Sequence, residues 1–250
     1  MTKDWPYPRI FAHRGGGKLA PENTLAAIAL GQSLGFRGHE FDVKLSKDKV
    51  PLLLHDATLE RTTNGKGRAA DLTFAELEKL DAGEWHSESF IGERLPSFER
   101  AAHQLRSKDT MANVEIKPTP GFDRETGTEV AAEAQKLWEG AAIQPLLSSF
   151  SLKALMAAKE AAPSLLRGWL VDEFTDEDWK RLKLLRAVSL HTNHTKLRTD
   201  DAAKLKDEGY RVMVYTVNDI ETAERLFELG VDGIFTDNLR EFAARFPDLI

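Results

Sequence analysis

Short apolar runs suited to extended backbone alternate with helical hydrophobic patterns from one end of this chain to the other. Extended runs are predicted at 9–12, 39–44, 113–116, 146–149, 166–171, 187–191, 211–216 and 231–236. Between them, Leu25, Ile28 and Ala29 share a helical face behind an Asn23 or Thr24 cap, with Gly35 as the stop. Val130, Ala134, Leu137 and Trp138 mark a later helix, ended by Gly140, and Ile220, Ala223 and Phe227 another. Repeated strand–helix units imply a parallel sheet with helices outside it. Eight strands in 250 residues match one TIM (β/α)8 barrel, so a single domain over 1–250 is expected. An open doubly wound sheet is the alternative.

One stretch breaks the rhythm. Residues 56–104 lie between the second and third barrel strands and far exceed an ordinary connection. They hold a turn signal, Thr62-Thr63-Asn64-Gly65, and a short helical pattern over 72–80. We read them as a small insertion after the second strand, on the top face of the barrel. A further extended run, 50–54, precedes it and is not counted among the eight.

In such a barrel the active site lies at the C-terminal strand ends, which tests each polar residue by position. His13 and Arg14 end the first strand, and His55 and Asp56 end the 50–54 run. Glu40 and Asp42 are two apart on the second strand, and Glu115 and Lys117 two apart on the third, so each pair shares a face. Three carboxylates converging inside a barrel would repel one another. A hard divalent cation, Mg²⁺ or Ca²⁺, resolves that repulsion through oxygen ligands. With two histidines to move protons and two basic side chains, the set suits phosphoryl chemistry. Singly, each residue reads as structural; their convergence on one face carries the argument. His39 should point the opposite way, His86 and His103 have no partner pattern, and His191 and His194 read as structural ahead of pocket-lining.

A net charge of −6 argues against a nucleic-acid partner and means that an anionic substrate must be met locally. There is no cysteine, so disulfides and thiolate metal sites are excluded. Residues 1–8 lack a leader's apolar run, and no stretch approaches a membrane span of roughly 18 apolar residues. A cytoplasmic protein with a small-molecule partner and no membrane partner is expected, its oligomeric state left open.

The motifs taken together resemble a known family. His13-Arg14-Gly15, Pro21-Glu22-Asn23-Thr24, Glu40-Phe41-Asp42-Val43 and Pro51 with His55-Asp56 resemble the glycerophosphodiester phosphodiesterase signature. Leu59 to Gly65, Leu95-Pro96-Ser97, Glu115-Ile116-Lys117-Pro118, Ser149-Phe150, Thr216-Val217-Asn218 and Gly230-Val231-Asp232-Gly233 continue it in order. The likeness is nearest to the short cytosolic bacterial type. It implies a TIM barrel that hydrolyses glycerophosphodiesters to glycerol 3-phosphate and an alcohol. It further implies Glu40, Asp42 and Glu115 as ligands of one divalent cation, His13 and His55 as the acid–base pair, and Arg14 and Lys117 on the phosphate. Glu22 belongs to the motif as a group orienting Arg14 or the metal site. Tyr215 stands where many members carry Trp; with Phe150 and the insertion it is expected to wall the glycerol half. The other alcohol is expected to face solvent, since the motif layout shows no second pocket. Rival readings are a Schiff-base enzyme acting through Lys117, a non-catalytic sugar-phosphate binder and a membrane-facing lipid phosphodiesterase.

Overall fold

The computed structural model describes residues 5–250. Of the segment 1–8 discussed above, residues 1–4 lie outside the described residues. The elements run β1 (Ile10–Ala12), α1 (Leu25–Ser33), β2 (Gly38–Leu45), β3 (Pro51–Leu53), α2 (Phe74–Leu77), α3 (Phe98–Arg106), β4 (Met111–Ile116), α4 (Asp123–Leu137) and β5 (Leu146–Ser149). They continue α5 (Leu152–Ala161), β6 (Leu166–Val171), α6 (Asp176–Leu185), β7 (Ser189–Asn193), α7 (Thr199–Asp207), β8 (Arg211–Tyr215), α8 (Ile220–Glu228), β9 (Gly233–Thr236) and α9 (Leu239–Arg245).

Eight of these strands pair in parallel in the order β1, β9, β8, β7, β6, β5, β4, β2, and β1 pairs β2 to close the ring. The fold is therefore a TIM barrel. β3 stands outside the ring, antiparallel to β2 with Val43 opposite Leu53. The reversal is local: the Ser46 hydroxyl accepts from the Val50 amide, and Lys49 takes a left-handed conformation at φ +64°. Its function is positional, since β3 leads directly to His55 at the barrel mouth.

Alternate residues of each strand face opposite ways. Ile10, Ala12, Val43, Val114, Leu147, Leu190, Val212 and Ile234 join the main core under the helices. Phe11, Met111, Leu146, Met213 and Phe235 turn inward with Tyr7 and plug the barrel beneath the site. The long excursion after β3 has its own small core, in which Leu52, Leu54, Leu59, Ala69, Leu77, Ala82 and Leu95 are buried together. The Asp81 carboxylate accepts from the amides of Gly83, Glu84 and Gly92 and gathers its far loop. Residues 98–104, assigned to the insertion from sequence, instead belong to α3. Phe98, Ala101, Ala102 and Leu105 recur at helical spacing and bury against the barrel, and α3 packs beside α1 and α4 as an outer helix. No helix among the described residues is long and apolar enough to cross a membrane.

Close packing of α4 on α5 depends on Gly127. A Cβ there would lie 2.1 Å from the Ala154 carbonyl oxygen. In an isolated helix, Gly→Ala stabilises by about 1 kcal/mol. Here the sign should reverse: Gly127→Ala is expected to destabilise the fold by about 2 kcal/mol through overpacking. Urea unfolding checks this, and an unchanged or raised midpoint would show that the two helices separate freely.

Candidate active site

The site's polar residues come mainly from β2 and β4 and from the segments that follow β1, β3 and β4. Glu40 and Asp42 project inward from β2 and are almost completely buried, and Glu115 joins them from β4. The strands are in register with Asp42 opposite Glu115, which sets the carboxylates side by side. One oxygen from each lies within 4.8 Å of the others. Burial pushes the Glu40 and Glu115 carboxyls up, and the neighbouring Asp42 charge adds to this. For Asp42, burial is outweighed by Lys117, His55 and Arg14, and its carboxyl is held low. Asn23 clamps Asp42 from both sides, donating to its carboxylate at 2.9 Å and accepting from its amide at 3.0 Å.

Arg14 follows β1 in the left-handed region at φ +50°, and its amide donates to Glu40 at 2.9 Å. The turn is tight because Gly17 approaches the Asp237 carbonyl, where a Cβ would come within 2.3 Å. Lys117 reaches back along β4, 2.7 Å from Glu115 and 3.7 Å from Asp42. Its carbonyl accepts from the buried Lys44 ammonium at 2.9 Å.

The two histidines share one design. His13 Nδ1 is 2.7 Å from Asp237, and His55 Nδ1 is 2.6 Å from Asp56. Each Nδ1 is thus occupied, so each ring has Nε2 for other work; that of His13 lies 3.8 Å from Glu40. Their environments differ. Burial opposes charge on His13, but the Asp237 bond and the fields of Glu40 and Asp237 outweigh it and raise its pKa. For His55, burial with nearby Arg14 and Lys117 prevails over Asp42 and lowers it.

A cavity of about 310 Å³ collects these groups. His13, Arg14, Glu40, Asp42, His55, Glu115, Lys117, Phe150 and Tyr215 all line it, over a floor that includes Leu170, His191 and Phe235. Phe150 and Tyr215 meet edge to face at 5.9 Å. Glu22 is elsewhere: its carboxylate binds Arg14 at 2.7 Å and Arg61 at 2.7 and 2.8 Å, and it does not line this cavity. With Arg14 it lines a neighbouring hollow beside His13. His39 points away from the cavity and is spanned by the Gly15 and Phe36 carbonyls. His191 is fully buried beside Ser189, and burial lowers its pKa to about 3, so it is neutral. His103 is exposed on α3 near Glu99, and His194 and His86 lie outside the cavity lining.

Sequence reasoning missed the residues behind the histidines. Asp237 follows β9 and is itself held by Asn218, which donates to its carboxylate at 3.2 Å and accepts from its amide at 2.7 Å. An acidic residue immediately after the last barrel strand was the available signal. Arg61 was quoted only as motif. It grips Asp56 and Glu22 together, so an unbroken chain of contacts runs from His55 through Asp56, Arg61 and Glu22 to Arg14. The expectation of no second pocket also fails, because two further hollows flank the cavity. One of about 500 Å³ adjoins His55 and Lys117, and one of about 350 Å³ adjoins His13 and Trp85.

The model of the glycerophosphoryl diester phosphodiesterase family matches residues 13–241. A glycerophosphodiester phosphodiesterase of Caldanaerobacter subterraneus is 36% identical over 92% of this chain and 93% of its own length. One from Bacillus altitudinis is 30% identical, covering 96% of this chain and 95% of its own. Among solved structures, an Oleispira antarctica phosphodiesterase in complex with the product sn-glycerol-3-phosphate superposes with a TM-score of 0.90. It is 32% identical, over 97% of this chain and 98% of that one. With the barrel closed, the acidic cluster and paired histidines at its mouth, and a family match across nearly its whole length, this chain belongs to the glycerophosphoryl diester phosphodiesterase family.

Proposed function

We propose that this enzyme hydrolyses deacylated glycerophosphodiesters to sn-glycerol 3-phosphate and an alcohol, with His13 and His55 as its acid–base pair. The observation that carries this reading is the pairing of each histidine with its own aspartate on the rim of a three-carboxylate cavity. The Oleispira relative, described with sn-glycerol-3-phosphate bound, supports the product.

Glu40, Asp42 and Glu115 would hold one divalent cation, Mg²⁺ or Ca²⁺. The donor set fits: three buried carboxylates, close enough for one oxygen from each to share an ion, and strained by mutual repulsion without one. When bound, the cation offsets charge on the carboxylates and on the substrate's non-bridging phosphate oxygens.

The side chains divide the remaining work. Arg14 and Lys117 face the cavity from either side of β2 and hold the phosphate, each kept in place by carboxylates. Asp237 and Asp56 fix the ring orientations, so Nε2 of each histidine is the atom that exchanges a proton. One Nε2 accepts the proton of the attacking hydroxyl as the new P–O bond forms. The other donates a proton to the leaving alkoxide as the old P–O bond breaks. The attacking hydroxyl is water, or the glycerol C2 hydroxyl with water opening the resulting cyclic phosphate; both routes balance with the same two rings. Arg61 ties the excursion after β3 to both histidine loops, which makes it part of the same catalytic unit. Phe150 and Tyr215 wall the glycerol half.

The test is release of glycerol 3-phosphate from glycerophosphocholine, glycerophosphoethanolamine and bis-glycerophosphate by purified protein supplied with Mg²⁺ or Ca²⁺. Release is expected from all three, with a diacylated counterpart far poorer. No release from any would overturn the reading.

A further inference from the structure

The space available to a substrate continues beyond His55 and Lys117. The hollow of about 500 Å³ on their far side is lined by Asp56, Pro118, Asp123, Phe150 and Ser151, among others. His55, Glu115, Lys117 and Phe150 line both this hollow and the deeper cavity. A phosphate resting on that shared wall would have one ester arm on each side. The deeper cavity, plugged below by apolar residues, suits the small glycerol arm.

We propose that the outer hollow binds the leaving alcohol, and that Asp123 and Phe150 select positively charged amino alcohols there. This rests on the phosphodiesterase reading above. The charged groups around the hollow are mostly committed. Lys117 is held by Glu115, and the Lys44 ammonium is buried and donates to the Lys117 carbonyl. Asp56 is taken by His55 and Arg61, and Glu115 belongs to the acidic cluster. Asp123 differs. One of its oxygens accepts from the Ser151 hydroxyl at 2.6 Å, and the other has no partner among the described residues. The Ser151 bond holds this free oxygen beside the segment that carries Phe150. Asp123 also opens α4, where the helix dipole favours a carboxylate charge. Phe150 is 43% exposed, and its ring already accepts the Lys117 ammonium at 5.4 Å from the centroid. A free carboxylate oxygen beside an aromatic surface is the pairing that recognises ammonium groups.

The experiment compares kcat/KM for glycerophosphoethanolamine, glycerophosphocholine and the uncharged-alcohol ester bis-glycerophosphate across variants. Asp123→Asn keeps the side-chain shape and removes the charge. It is expected to lower kcat/KM for the two cationic esters about threefold, as for one exposed charge contact, and to leave bis-glycerophosphate within about twofold. Asp123→Lys should enlarge that loss to about tenfold, and added salt of about 0.5 M should shrink it. Phe150→Leu should weaken the choline ester most. Trp85→Ala, in the hollow beside His13, should leave the head-group ratios unchanged. Ratios unmoved by both Asp123 variants, or moved by Trp85→Ala instead, would overturn the proposal while the phosphodiesterase reading stands. Wild-type protein inactive on all three esters would remove both.

Discussion

His13→Ala and His55→Ala are each expected to lower kcat by roughly a hundredfold or more, the range for a general acid or base. Neither ring is packed as core, since both retain partial exposure at the cavity rim, so circular dichroism and thermal unfolding should stay close to wild type. Asp237→Asn tests the positioning role separately. It leaves His13 in place but replaces the carboxylate that fixes its Nδ1, and a loss of about tenfold or more in kcat with little change in KM is expected. The same change should move the pH profile. Asp237 supports the charged form of His13, so its loss lowers the His13 pKa and shifts the His13-dependent limb towards acid. A histidine variant that keeps near wild-type kcat would mark that residue as structural.

Chelation should abolish turnover, and it should also change stability in a direction the site dictates. In the metal-free protein, burial raises the Glu40 carboxyl to about 8 and the Glu115 carboxyl to about 7. A carboxyl with a raised folded-state pKa stabilises the fold fully below its unfolded value and loses that contribution as pH rises through the folded value. The metal-free protein should therefore become less stable between about pH 6.5 and about pH 8.5, by about 2 kcal/mol, or on the order of 5 °C in Tm. Buried His39 and His191 do not reverse this. Their pKa values, lowered by burial to about 4 and about 3, cost stability only as pH falls below the unfolded histidine value of 6.5. Added Mg²⁺ or Ca²⁺ should flatten the alkaline decline by binding the folded state. Glu40→Gln should flatten it too, while leaving the protein inactive. Full activity after exhaustive chelation, or a Tm indifferent to both pH and cation, would refute the three-carboxylate assignment.

Much of this architecture was already legible in the order of residues. Strand–helix alternation specifies a parallel sheet because each unit must bury an apolar run under a helix, and eight units in this length specify closure. The i, i+2 spacing of Glu40 with Asp42 and of Glu115 with Lys117 put their side chains on one face, because strand geometry has a period of two. Boundaries were less legible. The sixth barrel strand, read as 187–191, lies at Ser189–Asn193, because its ends are set by pairing with β6 and β8. The end of the excursion was misplaced because an outer helix and an inserted helix show the same periodicity; only packing of α3 against α1 and α4 separates them.

What the tertiary structure alone decided are the contacts made across long stretches of chain. Asp237 meets His13 from 224 residues away, and Glu22 meets Arg61 from 39. Local periodicity says which face a residue shares with its near neighbours, and carries no information about which distant strand end will lie beside it. Closure of the barrel supplies that information: joining β1 to both β2 and β9 brings the first and last loops together. Chain order therefore determined which groups face the cavity mouth. The ring closure decided that Asp237 meets His13, and the folding of the excursion after β3 decided that Arg61 joins Asp56 to Glu22.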